Sequence, residues 1–440
     1  MNREGDVPWA HSVNMSGSRQ SLRDHLVGTA ELARTFGAAF GAANLTGALG
    51  LLHDAGKVSC AWQEGLVRAE SGGGPVGIDH KSLGARLLRP VCGVGAMAVL
   101  GHHGGLMDVA DAKAVLGNGG ADGADRTRLL RLVPEAEMVL SGGELLWPRH
   151  WTGQAAEVGL RLAFSALVDA DFLDTAAHFG GLSGPTLAPA GDMDELVSRF
   201  EVGRTQILGE RPRSPIDALR EEVYRSAVAA ASLEPGIFRL PAPTGSGKTL
   251  AAAAFALRHA ARYGKSRVIV AVPFISITEQ NAAIYRRLLG DDVVVEHHSS
   301  ISPEARRAKI GVDNWDAPFV VTTTVQLFDS LFGRKPARSR KVHRLANAVI
   351  VLDEVQALPM SVLPTILSGL RTLTEHFGAT VLLASATQPS FQTLGPWREI
   401  AGSITDVTPD AGKFAGAARR VKFQWWQEPK PTFEEVATAV

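Results

Sequence analysis

The chain has 440 residues, 45 Lys+Arg against 45 Asp+Glu, and 45% hydrophobic residues. At roughly 100–200 residues per domain, that length predicts two to four domains, and the zero net charge excludes a globally basic coat protein or an acidic solvating chain. Cys60 and Cys92 are too few for a disulfide framework or a four-thiolate zinc site, MNREGDVPWAHS lacks a secretory apolar core, and no run of about 18 apolar residues predicts a membrane span, so a cytoplasmic, multidomain protein is expected.

Residues 22–180 read as mainly helical. Around Leu22–Phe40 the apolar Leu26, Ala30, Ala33 and Phe40 recur at helical spacing. The run LTGALGLL leads into His53-Asp54-Ala55-Gly56-Lys57, where Gly56 reads as a helix stop. Ser71–Pro75 and Gly117–Gly123 read as loops, and residues 159–178 as one helix with an apolar face. From about residue 181 the composition turns to Gly, Pro and Ser around one short helical patch. The expected division is 1–185, a linker over 186–215, and 216–440. In the last segment the β-branched runs Arg267–Val272, Phe319–Thr323, Ala348–Leu352 and Thr380–Ala384 alternate with helical stretches. That pattern predicts an α/β domain with a mostly parallel sheet.

Eight of the 13 histidines precede residue 180. His25, the His53-Asp54 pair, His80 and the His102-His103 pair, with Asp171, form a set suited to two metals. Imidazoles and carboxylates bind borderline ions such as Mn, Fe, Co or Ni, and one carboxylate can bridge two of them. A metal pair about 3.5–4 Å apart suits in-line displacement at phosphorus. Glycines after His103 allow close backbone approach. His11, His150 and His178 read as ordinary surface or core histidines.

Ala242-Pro243-Thr244-Gly245-Ser246-Gly247-Lys248-Thr249 is a phosphate-binding loop with Ala in place of its first glycine. Its backbone N–H groups would cradle phosphates, Lys248 would reach the β/γ-phosphates and Thr249 would bind Mg²⁺. The apolar strand before Asp353-Glu354-Val355-Gln356 offers Asp353 to the Mg²⁺ of ATP and Glu354 to the attacking water. Ser385-Ala386-Thr387 follows a further strand. The basic cluster Arg334, Lys335, Arg338, Arg340, Lys341 and Arg344 reads either as a solvated loop or as a phosphate-tracking surface. Trp425-Trp426 reads as core packing more readily than base stacking.

The first set resembles the HD phosphohydrolase superfamily, in its two-metal nuclease branch. The resemblance implies one metal on His25, His53, Asp54 and Asp171, and a second on Asp54, His80, His102 and His103. It places Lys57 near the scissile phosphate; the other reading of Lys57 is a cation at a helix C-terminus. Asp169 competes with Asp171 for the last ligand, since two residues apart on a helix they cannot share a face; the family's last motif favours Asp171. The second set resembles the first RecA-like domain of superfamily 2 helicases, with Pro273 and Gln280 in motif Ia and Thr323 and Thr324 in the motif Ib region, where the family lines its nucleic-acid path.

An HD domain directly before a helicase domain with a DEVQ box resembles the CRISPR-associated helicase-nucleases of type I systems. The resemblance implies cleavage of single-stranded DNA, ATP-driven translocation and recruitment by a crRNA-guided surveillance complex. The second RecA-like domain, with its arginine finger, is expected to be missing here, either because the sequence is truncated or because a separate chain supplies it. The expectation is weak ATP binding, with neither efficient hydrolysis nor unwinding, by the chain alone. The competing readings are an HD phosphohydrolase acting on nucleotides and an ATP-binding recruitment subunit without catalysis.

Overall fold

The computed structural model describes residues 7–117, 123–142, 145–189, 191–301, 311–387, 391–398, 400–408 and 432–439. A short antiparallel pair, β1 (Trp9–His11) and β2 (Gln20–Ser21), opens the helical half. It is followed by α1 (Leu22–Ala38), α2 (Ala43–Leu52), α3 (Cys60–Glu70), α4 (Ser82–Cys92), α5 (Ala96–Gly101), α6 (Val109–Gly117), α7 (Gly123–Leu132), α8 (Glu135–Ser141) and the long α9 (Gly153–Phe179). Ser21 caps α1 by accepting from the Asp24 N–H at 3.0 Å, and Asp24 itself favours the positive helix end. Helix α2 stops at Leu52, before Gly56, which lies instead in a 3₁₀ turn over Ala55–Val58. The stretch Ser82–Gly101 is long and apolar enough to cross a membrane, but 67% of it is buried inside the fold and it breaks at Gly93–Gly95. Core packing accounts for its composition.

The second half is an α/β domain. Strands β3 (Ile237–Pro241), β4 (Arg267–Val272), β5 (Val294–His297), β6 (Phe319–Thr323), β7 (Ala348–Asp353), β8 (Thr380–Ser385) and β9 (Thr405–Asp406) form a sheet in the order β5-β6-β4-β7-β8-β3-β9. Every pairing is parallel. The four β-branched runs expected as strands all form. Alternation divides their side chains between two cores. Val268, Val270, Val349, Val351 and Leu382 face α10 (Met193–Glu210), α11 (Asp217–Ala230), α12 (Lys248–Arg262) and α13 (Ile275–Leu289). Ile269, Ile350, Leu352, Val381 and Leu383 face the other way, into an apolar cluster continuous with the helical half. The two halves therefore share a core.

Residues 186–215 are not the linker expected from composition. They contain α10, 18 residues long, whose N-terminus is capped by Asp192 accepting from Asp194 and Glu195 N–H at 2.9 and 3.2 Å. Met193, Leu196 and Phe200 are buried against the sheet layer. Flanking Gly and Pro obscure an apolar periodicity that a helix needs and a linker does not.

The basic cluster after α14 (Thr324–Phe332) divides: Arg334, Lys335 and Arg338 are exposed, whereas Arg340 and Arg344 are tied into the fold. Arg340 Nε donates to the fully buried Asp169 at 2.9 Å, and Arg344 pairs with Asp316 at 2.9 Å. Asn314 Nδ2 donates to the other Asp169 oxygen at 3.0 Å, and the Ser165 hydroxyl donates to the Ser339 carbonyl while accepting from the His343 N–H. Together these groups form a buried polar seam between α9 and the α/β domain. Trp425-Trp426 lies outside the described residues.

Candidate metal centre and nucleotide site

Four elements bring the histidines together. His25 sits on the buried face of α1, beside Leu22, Leu26 and Thr29. His53 ends α2, and Asp54 begins the 3₁₀ turn. The loop before α4 carries His80; there the Gly56 N–H donates to the His80 carbonyl at 2.9 Å, and a Cβ on Gly56 would stand 2.7 Å from that backbone. Gly56 is thus required by close approach rather than as a helix stop. His102 and His103 follow α5, and Asp171 projects from α9. Of the glycines after His103, Gly105 (φ +102°) makes the close approach: the Leu106 N–H beside it donates to the Arg334 carbonyl of the α/β domain at 3.0 Å.

Asp54 is the centre of the arrangement. Its Oδ2 lies 3.4 and 3.5 Å from Nε2 of His25 and His53, while Oδ1 lies 3.5 and 3.2 Å from Nε2 of His80 and His102. Asp171 Oδ1 stands 3.6 Å from Nε2 of both His25 and His53. His103 closes the second group: one ligand atom from each of Asp54, His80, His102 and His103 falls within 4.8 Å of the others. Nδ1 of His53, His80 and His102 faces the carbonyls of Gly50, Ile78 and Val99 at 2.8, 3.3 and 2.7 Å. A carbonyl only accepts, so each Nδ1 carries the proton and each Nε2 presents its lone pair inward. Asp54 Oδ1 and Nε2 of His80 and His102 are buried without a hydrogen-bond partner. Orphaned acceptors that converge in this way fit divalent cations.

Burial opposes charge on Asp54, yet Lys57, His53, His102 and His25 hold its carboxyl well below the usual carboxylate range. Burial likewise opposes charge on Asp171, and His53 outweighs it, again lowering the pKa. Burial, reinforced by His102, lowers His103 to about 3. His25 goes the other way, to about 9: burial opposes the charge, but hydrogen bonds to Asp174 and Asp54 prevail. The potential that favours a proton there also favours a metal. Lys57 is buried, with Nζ 2.6 Å from Asp54 Oδ2 and 3.1 Å from the Ala10 carbonyl. Asp169 faces away from the centre into the seam. His11, read from sequence as an ordinary histidine, packs edge-on against His25 with ring centroids 4.7 Å apart. Only the fold reveals that proximity.

The phosphate-loop motifs meet at the C-terminal edge of the sheet. Parallel register sets Pro241 beside Ser385, Asp353 beside Ala384 and Val272 beside Thr323. The loop turns through Gly245 and Gly247, at φ +80° and +83°, into the N-terminus of α12. Lys248 Nζ lies 3.5 Å from Glu354 Oε1. Burial and the neighbouring Glu354 raise Asp353 to about 6, against the pull of Lys248. Glu354 holds φ +52°, an unfavourable conformation for a residue with a Cβ, and its N–H donates to Asp353 Oδ1 at 3.0 Å. Gln356 Nε2 donates to Glu354 at 2.6 Å, and its Oε1 accepts from the Ser385 hydroxyl, linking the DEVQ and SAT motifs.

Thr244, Gly245, Gly247, Lys248, Thr249, Asp353 and Glu354 line a cavity of about 480 Å³, whereas Ser246 is fully buried and bonds the Pro243 carbonyl. Arg204, Arg220 and Tyr224, which the motifs do not reveal, form part of the opposite wall. They lie on α10 and α11, and no local signal identifies them. A second cavity, about 900 Å³, is lined by Pro273 and Thr323 together with Phe172, Phe274, Arg338 and Arg340. Gln280 is exposed on α13 and Thr324 is buried; neither lines it.

Residues 22–137 match the HD domain family and residues 223–394 match the DEAD/DEAH box helicase family. The CRISPR-associated nuclease/helicase Cas3 of Haloferax volcanii is 30% identical over 253 residues, covering 51% of this chain and 26% of that protein. The fold is similar to T. fusca Cas3 bound to ADP, with TM-score 0.59 and 18% identity over 91% of this chain and 52% of the other. A crystal structure of a CRISPR-associated protein aligns with TM-score 0.52 and 16% identity, over 96% and 55%. The chain spans about a quarter of the Haloferax relative and about half of these solved chains. The resemblance read from the motifs is borne out: an HD domain precedes a DEAD/DEAH box helicase domain, in a chain similar over about half its length to a CRISPR-associated nuclease/helicase.

Proposed function

We propose that this chain carries the nuclease and first ATP-binding modules of an antiviral CRISPR-associated nuclease–helicase that cleaves single-stranded DNA. The observation that carries the reading is the division of Asp54, one oxygen toward His25 and His53 and the other toward His80 and His102. Two divalent transition ions (Mn, Fe, Co or Ni) held there would supply Lewis-acid polarisation and an activated water for phosphodiester hydrolysis. His25, His53, Asp54 and Asp171 hold one ion; Asp54, His80, His102 and His103 hold the other. Lys57 leaves Asp54 to meet a phosphate oxygen. Asp171 and Phe172 are adjacent on α9, so the helix that supplies a ligand also walls the large cavity, where Pro273 and Thr323 contact the strand.

At the second site Thr244–Thr249 cradle the phosphates of ATP, Thr249 and Asp353 hold Mg²⁺, and Glu354 orients water. A crRNA-guided type I surveillance complex is the proposed recruiter, and a second RecA-like domain, in cis or from another chain, the proposed other wall of the ATP cleft.

The test is incubation with circular single-stranded DNA and Mn²⁺, Co²⁺ or Ni²⁺ without ATP, beside a chelated control. Metal-dependent fragmentation supports the reading. Intact circles with phosphate released from free nucleotides would favour a nucleotide phosphohydrolase instead. Lys248→Ala removes the side chain that reaches the phosphates, and is expected to weaken binding of a fluorescent ATP analogue at least about tenfold, the loss of a charge-assisted hydrogen bond. Cleavage of the circles without ATP should be unchanged.

A further inference from the structure

We infer that Asp174 positions His25 for metal binding, an inference that rests on the metal centre proposed above. Asp171, Asp174 and Thr175 are spaced i, i+3 and i+4 along α9, so all three face α1 and the centre. Asp174 is buried, and its Oδ2 accepts from His25 Nδ1 at 2.7 Å and from Gln20 Nε2 at 2.8 Å. His25 is therefore distinguished from His53, His80 and His102, whose Nδ1 protons go to carbonyls. A carboxylate at that position fixes the ring and the tautomer, and makes Nε2 a stronger donor to a cation.

The chain makes room for this carboxylate. At Gly28, one helical turn beyond His25 on α1, a Cβ would stand 2.7 Å from Asp174 Oδ1. An alanine there raises helix propensity, yet it must push the carboxylate away from His25. Helix propensity and ligand positioning therefore predict opposite effects of the same methyl group. Thr175 supports the neighbouring ligand in a similar way, its hydroxyl 3.4 Å from Asp171 Oδ1.

The experiment titrates the full chain with Mn²⁺ calorimetrically and by EPR, which separates an exchange-coupled metal pair from a single ion. Asp174→Ala is expected to weaken the ion on His25, His53, Asp54 and Asp171 by about 10–100-fold. The ion on His80, His102 and His103 stays, and the coupled signal becomes that of one Mn²⁺. Asp174→Asn, which can still accept from Nδ1–H, should fall between wild type and alanine. Gly28→Ala should reproduce the alanine pattern with an unchanged or raised thermal midpoint of the metal-free protein, and it decides the question if Asp174→Ala does not fold. Wild-type affinity in Gly28→Ala and Asp174→Asn, with His25→Ala weakened, would overturn the positioning role. A wild-type chain that binds no Mn²⁺ pair would overturn the metal centre itself.

Discussion

Replacing His53 and Asp54 together by alanine is expected to reduce cleavage of circular single-stranded DNA to the level of the chelated control. Asp54 contributes to both groups of donors, one oxygen to each, and His53 Nε2 lies between Asp54 and Asp171. Removing them would take away the proposed bridge and a proposed terminal ligand, so neither group would hold its ion in place. Loss of an outer partner of a metal ligand costs about 10–100-fold, and loss of the bridge must exceed that. The variant also leaves the buried Lys57 ammonium without its carboxylate, so its folding should be checked by circular dichroism. A folded double variant that still fragments circles would place cleavage elsewhere. ATP-analogue binding serves as an internal control, because the phosphate loop shares no residue with this centre.

The second large effect concerns stability. Asp169→Ala should destabilise the folded chain by about 3 kcal/mol or more, read as a lowered urea midpoint, because it strands Arg340 against a buried seam. Asp169 is fully buried and accepts from Arg340 and Asn314, residues 171 and 145 positions away. Burial raises its pKa despite Arg340 and Arg344, so desolvation opposes the charged pair. Removing both charges in Asp169→Leu/Arg340→Met should recover much of the loss, since an apolar pair of similar volume avoids that desolvation. Mn²⁺ stoichiometry should stay at wild type in both variants, whereas Asp171→Ala should lower it with little change in the urea midpoint. An Asp169→Ala chain as stable as wild type but lacking one ion would reverse the assignment of the two aspartates.

Much of this chemistry is legible in the residues themselves. The phosphate loop and the DEVQ box are contiguous, so residue types and order carry their meaning within a few positions. The histidines are legible as a set because imidazole and carboxylate are the donors that borderline metals take, wherever the chain brings them. Helical periodicity makes Asp169 and Asp171 face apart, but it does not say which way either points. The same limit applies to the cluster from Arg334 to Arg344. Its charges are plain in the sequence, and its partners Asp169, across the domain boundary, and Asp316, within the α/β domain, are not, because only packing selects a partner distant in the chain. Helix α10 reads as part of a linker because the Gly and Pro that flank it dominate the local composition, whereas burial of Met193, Leu196 and Phe200 depends on a sheet layer that folds far along the chain.

By itself, then, the sequence determined which histidines and aspartates are candidate donors, the phosphate loop, and four of the seven strands of the sheet. Those properties are local, set by side-chain chemistry and by periods of two and 3.6 residues. The tertiary structure alone decided that Asp54 divides its oxygens between two groups, that Asp174 holds His25 and that Arg204 and Tyr224 wall the nucleotide cavity. It also decided that a charged seam joins the two halves. Each of these depends on the distance between side chains far apart in sequence, and that distance exists only once the helices and the sheet have packed.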